Sequence, residues 1–221
     1  MHPAIGLIVL LSVGTFMLAM SAAASGQAPD RAALDDIVLR FLDDHADDWR
    51  DLNVPTSDGQ LLHDLIVEHG YTRALEIGTS TGHSGIWIAW ALSKTGGRLI
   101  TVEVDPERHR EAVANFKAVG LSRFVDARLG DAHAIVPTLD GPFDFVFSDA
   151  DKDWYPQYFK DVFPKLTVGG CYTTHNISTR RQRGATAGSA AYLDLLHSVP
   201  NAETTVDERG GGMAITFKRA P

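Results

Sequence analysis

The chain has 221 residues, of which 44% are hydrophobic and 22% charged, and its formal net charge at neutral pH is −8. This length and composition fit one globular α/β domain with a sizeable core. The acidic balance argues against a general nucleic-acid binder, and the single cysteine, Cys171, excludes an internal disulfide.

The N-terminal segment has the composition of a targeting signal. Residues 1–28 contain no Asp, Glu, Lys or Arg, and the apolar run over residues 4–24 ends in small residues, which is typical of a cleaved signal peptide. We therefore predict export to the periplasm or the cell exterior, with a folded domain over residues 29–221. Two alternatives stay open: an uncleaved membrane anchor, or a cytoplasmic protein whose true start is Met17 or Met20.

Apolar spacing predicts two helices before the first strand. The first covers Leu34 to Leu42, and the second runs through residues 61–66 with Ser57 or Asp58 as its N-cap. Beyond them, strands and helices alternate. Strands are predicted near 73–77, 98–104, 125–129, 143–148 and 168–174. Helices are predicted near 83–93, 106–119, 131–138, 154–163 and 188–198. A last pair of strands is predicted near 202–207 and 212–219.

This alternation predicts a Rossmann-like α/β fold. We expect a doubly wound, mostly parallel seven-stranded sheet with helices on both faces and a C-terminal antiparallel hairpin. In such sheets ligands bind at the carboxyl ends of the strands. The residues that follow each predicted strand are therefore the candidates for chemistry.

The end of the first strand predicts a nucleoside pocket. Glu76 and Gly78 are followed by Gly82 at the start of a helix, and Glu103 closes the second strand. The glycine turn allows close approach of a ligand, and a strand-end acid can bind both ribose hydroxyls. Glu76 disfavours a phosphate but suits an ammonium group. S-adenosylmethionine carries an ammonium, a carboxylate and a ribose without phosphate, so we predict it as the cofactor. An NAD(P)-dependent oxidoreductase is the alternative.

The fourth and fifth strand ends carry candidate metal ligands. Asp149, Asp151, His175 and Asn176 follow these strands, and carboxylate, imidazole and amide oxygen are all metal ligands. Asp149 and Asp151 could equally cap the next helix. Lys152, beside both acids, suits either a local ion pair or a base.

These motifs together resemble those of one enzyme family over about residues 50 to 177. The matching set is Asn53-Val54 with Gly59-Gln60, Leu75 to Gly78 with Gly82-His83-Ser84, Val102-Glu103, Gly130-Asp131-Ala132 and Phe145 to Lys152. The chain resembles the small metal-dependent O-methyltransferases, the group of catechol and caffeoyl-coenzyme A O-methyltransferases. The resemblance implies methyl transfer from S-adenosylmethionine to a hydroxyl of a small, catechol-like molecule. It also makes a homodimer possible. A metal-independent methyltransferase acting on another small-molecule acceptor stays open.

The resemblance implies roles for single residues. Val54, Glu76, Gly78 and Ser84 would hold the methionine end, Glu103 the ribose, and Asp131 with Ala132 the adenine. The full predicted cofactor set is Asn53, Val54, Glu76, Gly78, Gly82, Ser84, Glu103, Asp131, Ala132 and Asp149. Lys152 and Asp149 are the predicted catalytic residues.

The predicted metal ligands are Asp149, His175 and Asn176, and His175 departs from the family's usual aspartate. The histidine could replace the aspartate as a ligand, or it could disable the site and leave transfer to positioning alone. We expect the first, because Asp149 and Asn176 are both present. Imidazole suits Fe²⁺, Co²⁺, Ni²⁺ or Zn²⁺ better than Mg²⁺. We expect no nucleic-acid partner, and no stable membrane contact unless the N-terminus is an anchor.

Overall fold

A computed structural model describes residues 31–179 and 187–221 of the chain. The predicted N-terminal segment, residues 1–28, lies outside the described residues. The helices are α1 (Arg31–Asp44), α2 (Thr56–His69), α3 (His83–Thr95), α4 (Pro106–Ala118), α5 (Ala132–Ile135), α6 (Tyr155–Val162) and α7 (Ala187–Ser198). The strands are β1 (Arg73–Ile77), β2 (Arg98–Glu103), β3 (Val125–Leu129), β4 (Phe143–Ser148), β5 (Leu166–His175), β6 (Ala202–Asp207) and β7 (Met213–Lys218). Within these residues, no helix is both long and apolar enough to span a membrane.

The strands form one sheet in the order β3-β2-β1-β4-β5-β7-β6. The five strands β1 to β5 pair in parallel, and β7 pairs antiparallel with both β5 and β6. The predicted Rossmann-like sheet with its C-terminal hairpin is confirmed. The predicted helix near 131–138 divides into α5 and a 3₁₀ turn over Val136–Thr138. Pro137 inside this turn has no N–H with which to continue an α-helix.

The chain order places β1 at the centre of the functional edge. β1 lies between β2 and β4, with Ile77 in register with Val102 on one side and Ser148 on the other. The chain reverses its direction of winding here, which is where open α/β sheets bind ligands. The carboxyl ends of β1, β2 and β4 therefore lie side by side.

Packing on both faces of the sheet fixes these strand ends. Leu75 and Ile77 of β1 belong to a buried cluster that includes Tyr158 of α6. On the opposite face, Phe147 of β4 packs in a cluster with residues of α2 and α3. Because side chains alternate along a strand, Glu76 points toward α2 and α3.

Candidate active site

A cavity of about 370 Å³ opens at the carboxyl edge of β1, β2 and β4. Predicted cofactor residues that line it are Gly78, Glu103, Asp131, Ala132 and Asp149. Lining residues that the sequence did not single out include Leu52, Ser80, Arg108, His133 and Tyr158. Another cavity, of about 440 Å³, is lined by residues such as Arg73 and Arg98 and contains none of the predicted site residues.

Gly78 brings the first strand end against the fourth. Its φ of 99° is in the left-handed region, and a Cβ here would lie 2.8 Å from the backbone oxygen of Asp149. The backbone N–H of Asp149 donates to the oxygen of Ile77 at 2.9 Å. Any larger residue at this position would push the two strand ends apart and distort the cavity wall.

Glu103 is held in place by two backbone donors. The N–H of Ser80 donates to Oε2 at 2.7 Å, and the N–H of Asp105 donates to Oε1 at 2.9 Å. The residue is 7% exposed and lines the cavity. A carboxylate oxygen has two lone pairs, so each oxygen can still accept a ligand hydroxyl. This arrangement suits the predicted contact with a ribose.

Glu76 is a buried acid with one satisfied oxygen. Its Oε2 accepts from Thr101 Oγ1 at 2.6 Å, and no described residue donates a hydrogen bond to its Oε1. Burial raises the pKa of Glu76 to about 7, although the nearby hydroxyls of Ser84 and Thr101 act in the opposite direction. Glu76 therefore offers a buried acceptor oxygen, which fits an ammonium group of a ligand.

Five of the ten predicted cofactor residues do not line the cavity: the buried Glu76 and Ser84, and also Asn53, Val54 and Gly82. Asn53 Nδ2 donates to Thr81 Oγ1 at 2.8 Å, and the oxygen of Val54 accepts from His83 Nδ1 at 2.9 Å. These contacts fasten the loop before α2 to the start of α3. A Cβ on Gly82 would lie 3.2 Å from Cα of Ala112 in α4, so this glycine serves helix packing. The sequence predicted that these residues lie near the cofactor, but it did not predict their contacts with the rest of the chain.

His83 is a neutral core residue. Its ring stacks on Trp49 with centroids 4.6 Å apart, and its Nε2 accepts from Trp87 Nε1 at 3.1 Å. Burial lowers the pKa of His83 to about 4, against the effect of the hydrogen bond to Val54. These contacts make His83 an ordinary packing residue at the start of α3.

Asp149 and His175 come together as predicted, but a third residue joins them. Nδ1 of His175 lies 3.0 Å from Oδ2 of Asp149, and Nε2 lies 2.8 Å from Oδ2 of Asp58. A ring that donates to two carboxylates from both nitrogens is an imidazolium. Burial disfavours that charge, but the hydrogen bonds to Asp149 and Asp58 outweigh it and raise the pKa of His175 to about 9.

Asn176, the third predicted metal ligand, also has a hydrogen-bond partner within the chain. Nζ of Lys152 donates a hydrogen bond to Oδ1 of Asn176. His175 has no lone pair to offer a metal ion while both its nitrogens donate. No group of three or more His, Cys, Asp or Glu in the described parts of the chain is arranged to hold a metal ion. Of the predicted ligands, Asp149 and His175 therefore lie in contact, and His175 and Asn176 already have hydrogen-bond partners within the chain.

Asp58 is the site residue that the sequence analysis missed. The predicted N-cap is wrong: the helix begins at Thr56 after Pro55, and Asp58 lies in its first turn. There it accepts from the backbone N–H of Gly211 at 2.8 Å. The sequence offered one indication of this role: Asp58 precedes Gly59, which belongs to the motif that begins with Asn53 and Val54.

Curated O-methyltransferases are similar in sequence to about half of this chain. The chain is 42% identical over 113 residues to a catechol O-methyltransferase of Niastella koreensis, covering 49% of this chain and 51% of that protein. It is 31% identical over 131 residues to caffeoyl-CoA O-methyltransferase 1 of Zea mays, covering 55% and 49% of the two chains. The match thus spans about half the length of these relatives.

Solved structures match over most of their length. The O-methyltransferase TomG of Streptomyces achromogenes, in complex with S-adenosylmethionine, has a TM-score of 0.71 and 27% identity, covering 89% of this chain and 93% of TomG. A Bacillus cereus O-methyltransferase in complex with S-adenosylhomocysteine has a TM-score of 0.69 and 25% identity, covering 88% and 94%. A family model described as O-methyltransferase matches residues 27–207, and the chain therefore belongs to the O-methyltransferase family.

Proposed function

We propose that the chain is an S-adenosylmethionine-dependent O-methyltransferase that acts on a hydroxyl of a small, catechol-like molecule. The observation that carries the proposal is Glu103, whose two oxygens are oriented by Ser80 and Asp105 at the wall of a cavity beside Gly78. The names of the relatives support a catechol-like acceptor, and the cofactor described with TomG supports S-adenosylmethionine.

Residues in and near the cavity suit the parts of this cofactor. Glu103 can accept both ribose hydroxyls, and Asp131 and Ala132 line the part of the cavity assigned to the adenine. The free Oε1 of Glu76 can accept from the ammonium of the methionine part. S-adenosylmethionine, when bound, supplies a methyl group on a positively charged sulfur. Holding that group in line with the acceptor is worth roughly 7–11 kcal/mol of the barrier.

We assign the acceptor side of the site to Lys152. The acceptor oxygen forms the new C–O bond with a lone pair, the electrons of the C–S bond return to sulfur, and the hydroxyl proton must leave. Lys152 is exposed, lies in the turn that follows β4 and is hydrogen-bonded to Asn176, so its neutral form can take that proton. Methyl transfer could proceed with or without a metal ion. Because His175 and Asn176 already have hydrogen-bond partners within the chain, we favour transfer without a metal ion.

A ligand panel followed by a transfer assay tests this function. S-adenosylmethionine and S-adenosylhomocysteine should raise the melting temperature, whereas NAD and NADP should not. Mass spectrometry should then detect methylated catechol, and Lys152→Met should lower kcat by about 10²-fold or more without changing cofactor affinity. Lys160→Met, an exposed lysine of α6, is the matched control. Stabilisation by NAD alone would contradict the proposal.

A further inference from the structure

Two buried side chains and one partly buried side chain form a charge cluster next to the cofactor cavity. Asp58 of α2, Asp149 after β4 and His175 at the end of β5 have side chains that are 1%, 14% and 6% exposed. The two hydrogen bonds of His175, at 2.8 and 3.0 Å, run to one oxygen of each acid. We call these three residues the acid–histidine cluster.

The glycine turn of the β6–β7 hairpin covers this cluster. A Cβ on Gly210 would overlap the carboxylate of Asp58, and a Cβ on Gly211 would overlap Nε2 of His175. The N–H of Gly211 also donates to Asp58 at 2.8 Å. The absence of side chains at Gly210 and Gly211 therefore lets the hairpin pack directly against the acid–histidine cluster.

The charges of the cluster resemble those of a loaded metal site. Two carboxylates close together repel one another unless a cation lies between them. In a metal site, the metal ion supplies this positive charge, and the acidic ligands surround it. Here the ring of His175 lies between Asp58 and Asp149 and donates to both. It supplies positive charge from within the chain and has no lone pair left for an ion.

A second cation of the chain lies at the exposed side of the cluster. Lys152 donates to Oδ1 of Asn176, the residue that follows His175. Asn176 has a φ of 58°, which turns the chain sharply at the end of β5. The amide oxygen that would complete a metal site is thus bound to an ammonium group, and Lys152 is an exposed positive charge at this edge.

We propose that His175 is a positioning residue that replaces a divalent cation in this enzyme, holding Asp149 at the cofactor cavity and leaving Lys152 as the side chain that meets the acceptor oxygen. This inference rests on the proposed methyltransferase function for its kinetic consequences. Its structural part, the exclusion of a metal ion by the chain's own cations, stands independently of any activity.

Mn²⁺ binding followed by electron paramagnetic resonance tests the structural part, because Mn²⁺ favours the same oxygen ligands as Mg²⁺. The wild-type protein should leave the spectrum of free Mn²⁺ unchanged. His175→Asp should create a site of oxygen ligands and bind Mn²⁺. His197→Asp, the same change on the exposed side of α7, is the matched control and should bind none.

Two results would overturn the inference. One is Mn²⁺ binding to the wild-type protein with a Kd below about 100 μM that is lost in Asp149→Asn. The other is a folded His175→Asp variant that binds no Mn²⁺. If that variant does not fold, the wild-type titration alone decides.

Kinetics test the positioning part. Chelator should leave wild-type kcat unchanged, and His175→Gln should lower kcat about tenfold or more while the Kd for S-adenosylmethionine changes less than threefold. A wild-type enzyme that loses activity with chelator and regains it with Mg²⁺ would overturn the inference. Failure of the function itself looks different: no methyl transfer under any condition, with the Mn²⁺ results unaffected.

Discussion

Arg108 holds Asp51 across the mouth of the cofactor cavity with two hydrogen bonds, of 2.8 Å from Nε and 2.9 Å from one terminal nitrogen. Ser80 Oγ also donates to the backbone oxygen of Asp51 at 2.6 Å. Leu52, the next residue, lines the cavity with a φ of 54° although its side chain is 71% exposed. The loop before α2 is therefore fastened over the cavity by contacts with two other elements.

Removing this ion pair should speed cofactor release. We expect Arg108→Ala to weaken S-adenosylmethionine binding about two- to fivefold, mainly through a faster dissociation rate, with little change in melting temperature. Because both side chains are partly exposed, high salt should reduce the difference from wild type. Stopped-flow binding at low and high salt measures both effects. Arg110→Ala, which removes an exposed pair with Glu107 on the same helix, should change neither rate.

Glu103 should be sensitive even to a change that keeps its shape. Both of its oxygens accept backbone N–H groups, so the NH₂ of Glu103→Gln must face one of these donors. Hydrogen bonds to a charged group contribute about 1.5–3 kcal/mol, so we expect affinity for S-adenosylmethionine to fall about 10- to 100-fold. Calorimetry measures this, with the exposed Glu107→Gln as control. Unchanged affinity would remove Glu103 from the ribose contact.

The difference between Glu103 and Asp58 shows what the sequence could predict. Glu103 ends an apolar strand, so its place at the ligand-binding edge follows from local pattern and the general geometry of α/β sheets. Asp58 has no such pattern, since 117 positions separate it from His175 and 153 from Gly211. Only the packing of α2 and the β6–β7 hairpin against β5 brings these residues together.

Because local patterns do not show tertiary contacts, the sequence led to the prediction that His175 is a metal ligand. A histidine beside Asn176 at a strand end suits a metal ligand, and the sequence alone cannot show that both ring nitrogens are already bound. That depends on two acids from other parts of the chain, Asp58 and Asp149, for both of which the sequence also allowed the role of a helix cap. Local patterns thus predicted the sheet and the cofactor edge, whereas the charge cluster beside it depends on tertiary contacts.

Glu76 should lower the free energy of unfolding of the ligand-free protein at neutral and higher pH. Its pKa is about 7 in the folded state, above the ordinary value of 4.5, because burial disfavours the charged form. Between these values the unfolded chain loses a proton that the folded chain keeps, so stability falls as pH rises from about 4.5 to about 7. Glu76→Gln should therefore raise stability at pH 8 by about 1–3 kcal/mol and have little effect at pH 4.

The cost of this change should be lost cofactor affinity, since a neutral amide cannot balance the charge of an ammonium group. Urea unfolding at the two pH values and calorimetry with S-adenosylmethionine measure the two effects in one variant. Glu68→Gln, an exposed acid of α2, is the control. If Glu76→Gln destabilises the protein equally at both pH values, the burial penalty assigned to Glu76 is wrong.

A side chain at Gly211 should destabilise the protein because it would overlap His175, and a double-mutant cycle can test this cause. Its φ is not in the left-handed region, so Gly211→Ala carries no backbone strain, but the added Cβ would overlap Nε2 of His175. Overpacking of this kind costs about 1–3 kcal/mol of unfolding free energy. Gly70→Ala provides the opposite control, because Gly70 has a φ of 68° and open space around it.

If the overlap with His175 is the cause, Gly211→Ala should destabilise the His175→Ala protein less than it destabilises wild type. Residues in direct contact show interaction energies of about 0.5–3 kcal/mol in such double-mutant cycles, whereas independent sites are additive. Urea unfolding of the four proteins measures the interaction. Full additivity would mean that the glycine turn does not rest on the histidine, and that the hairpin could close over Asp58 without it.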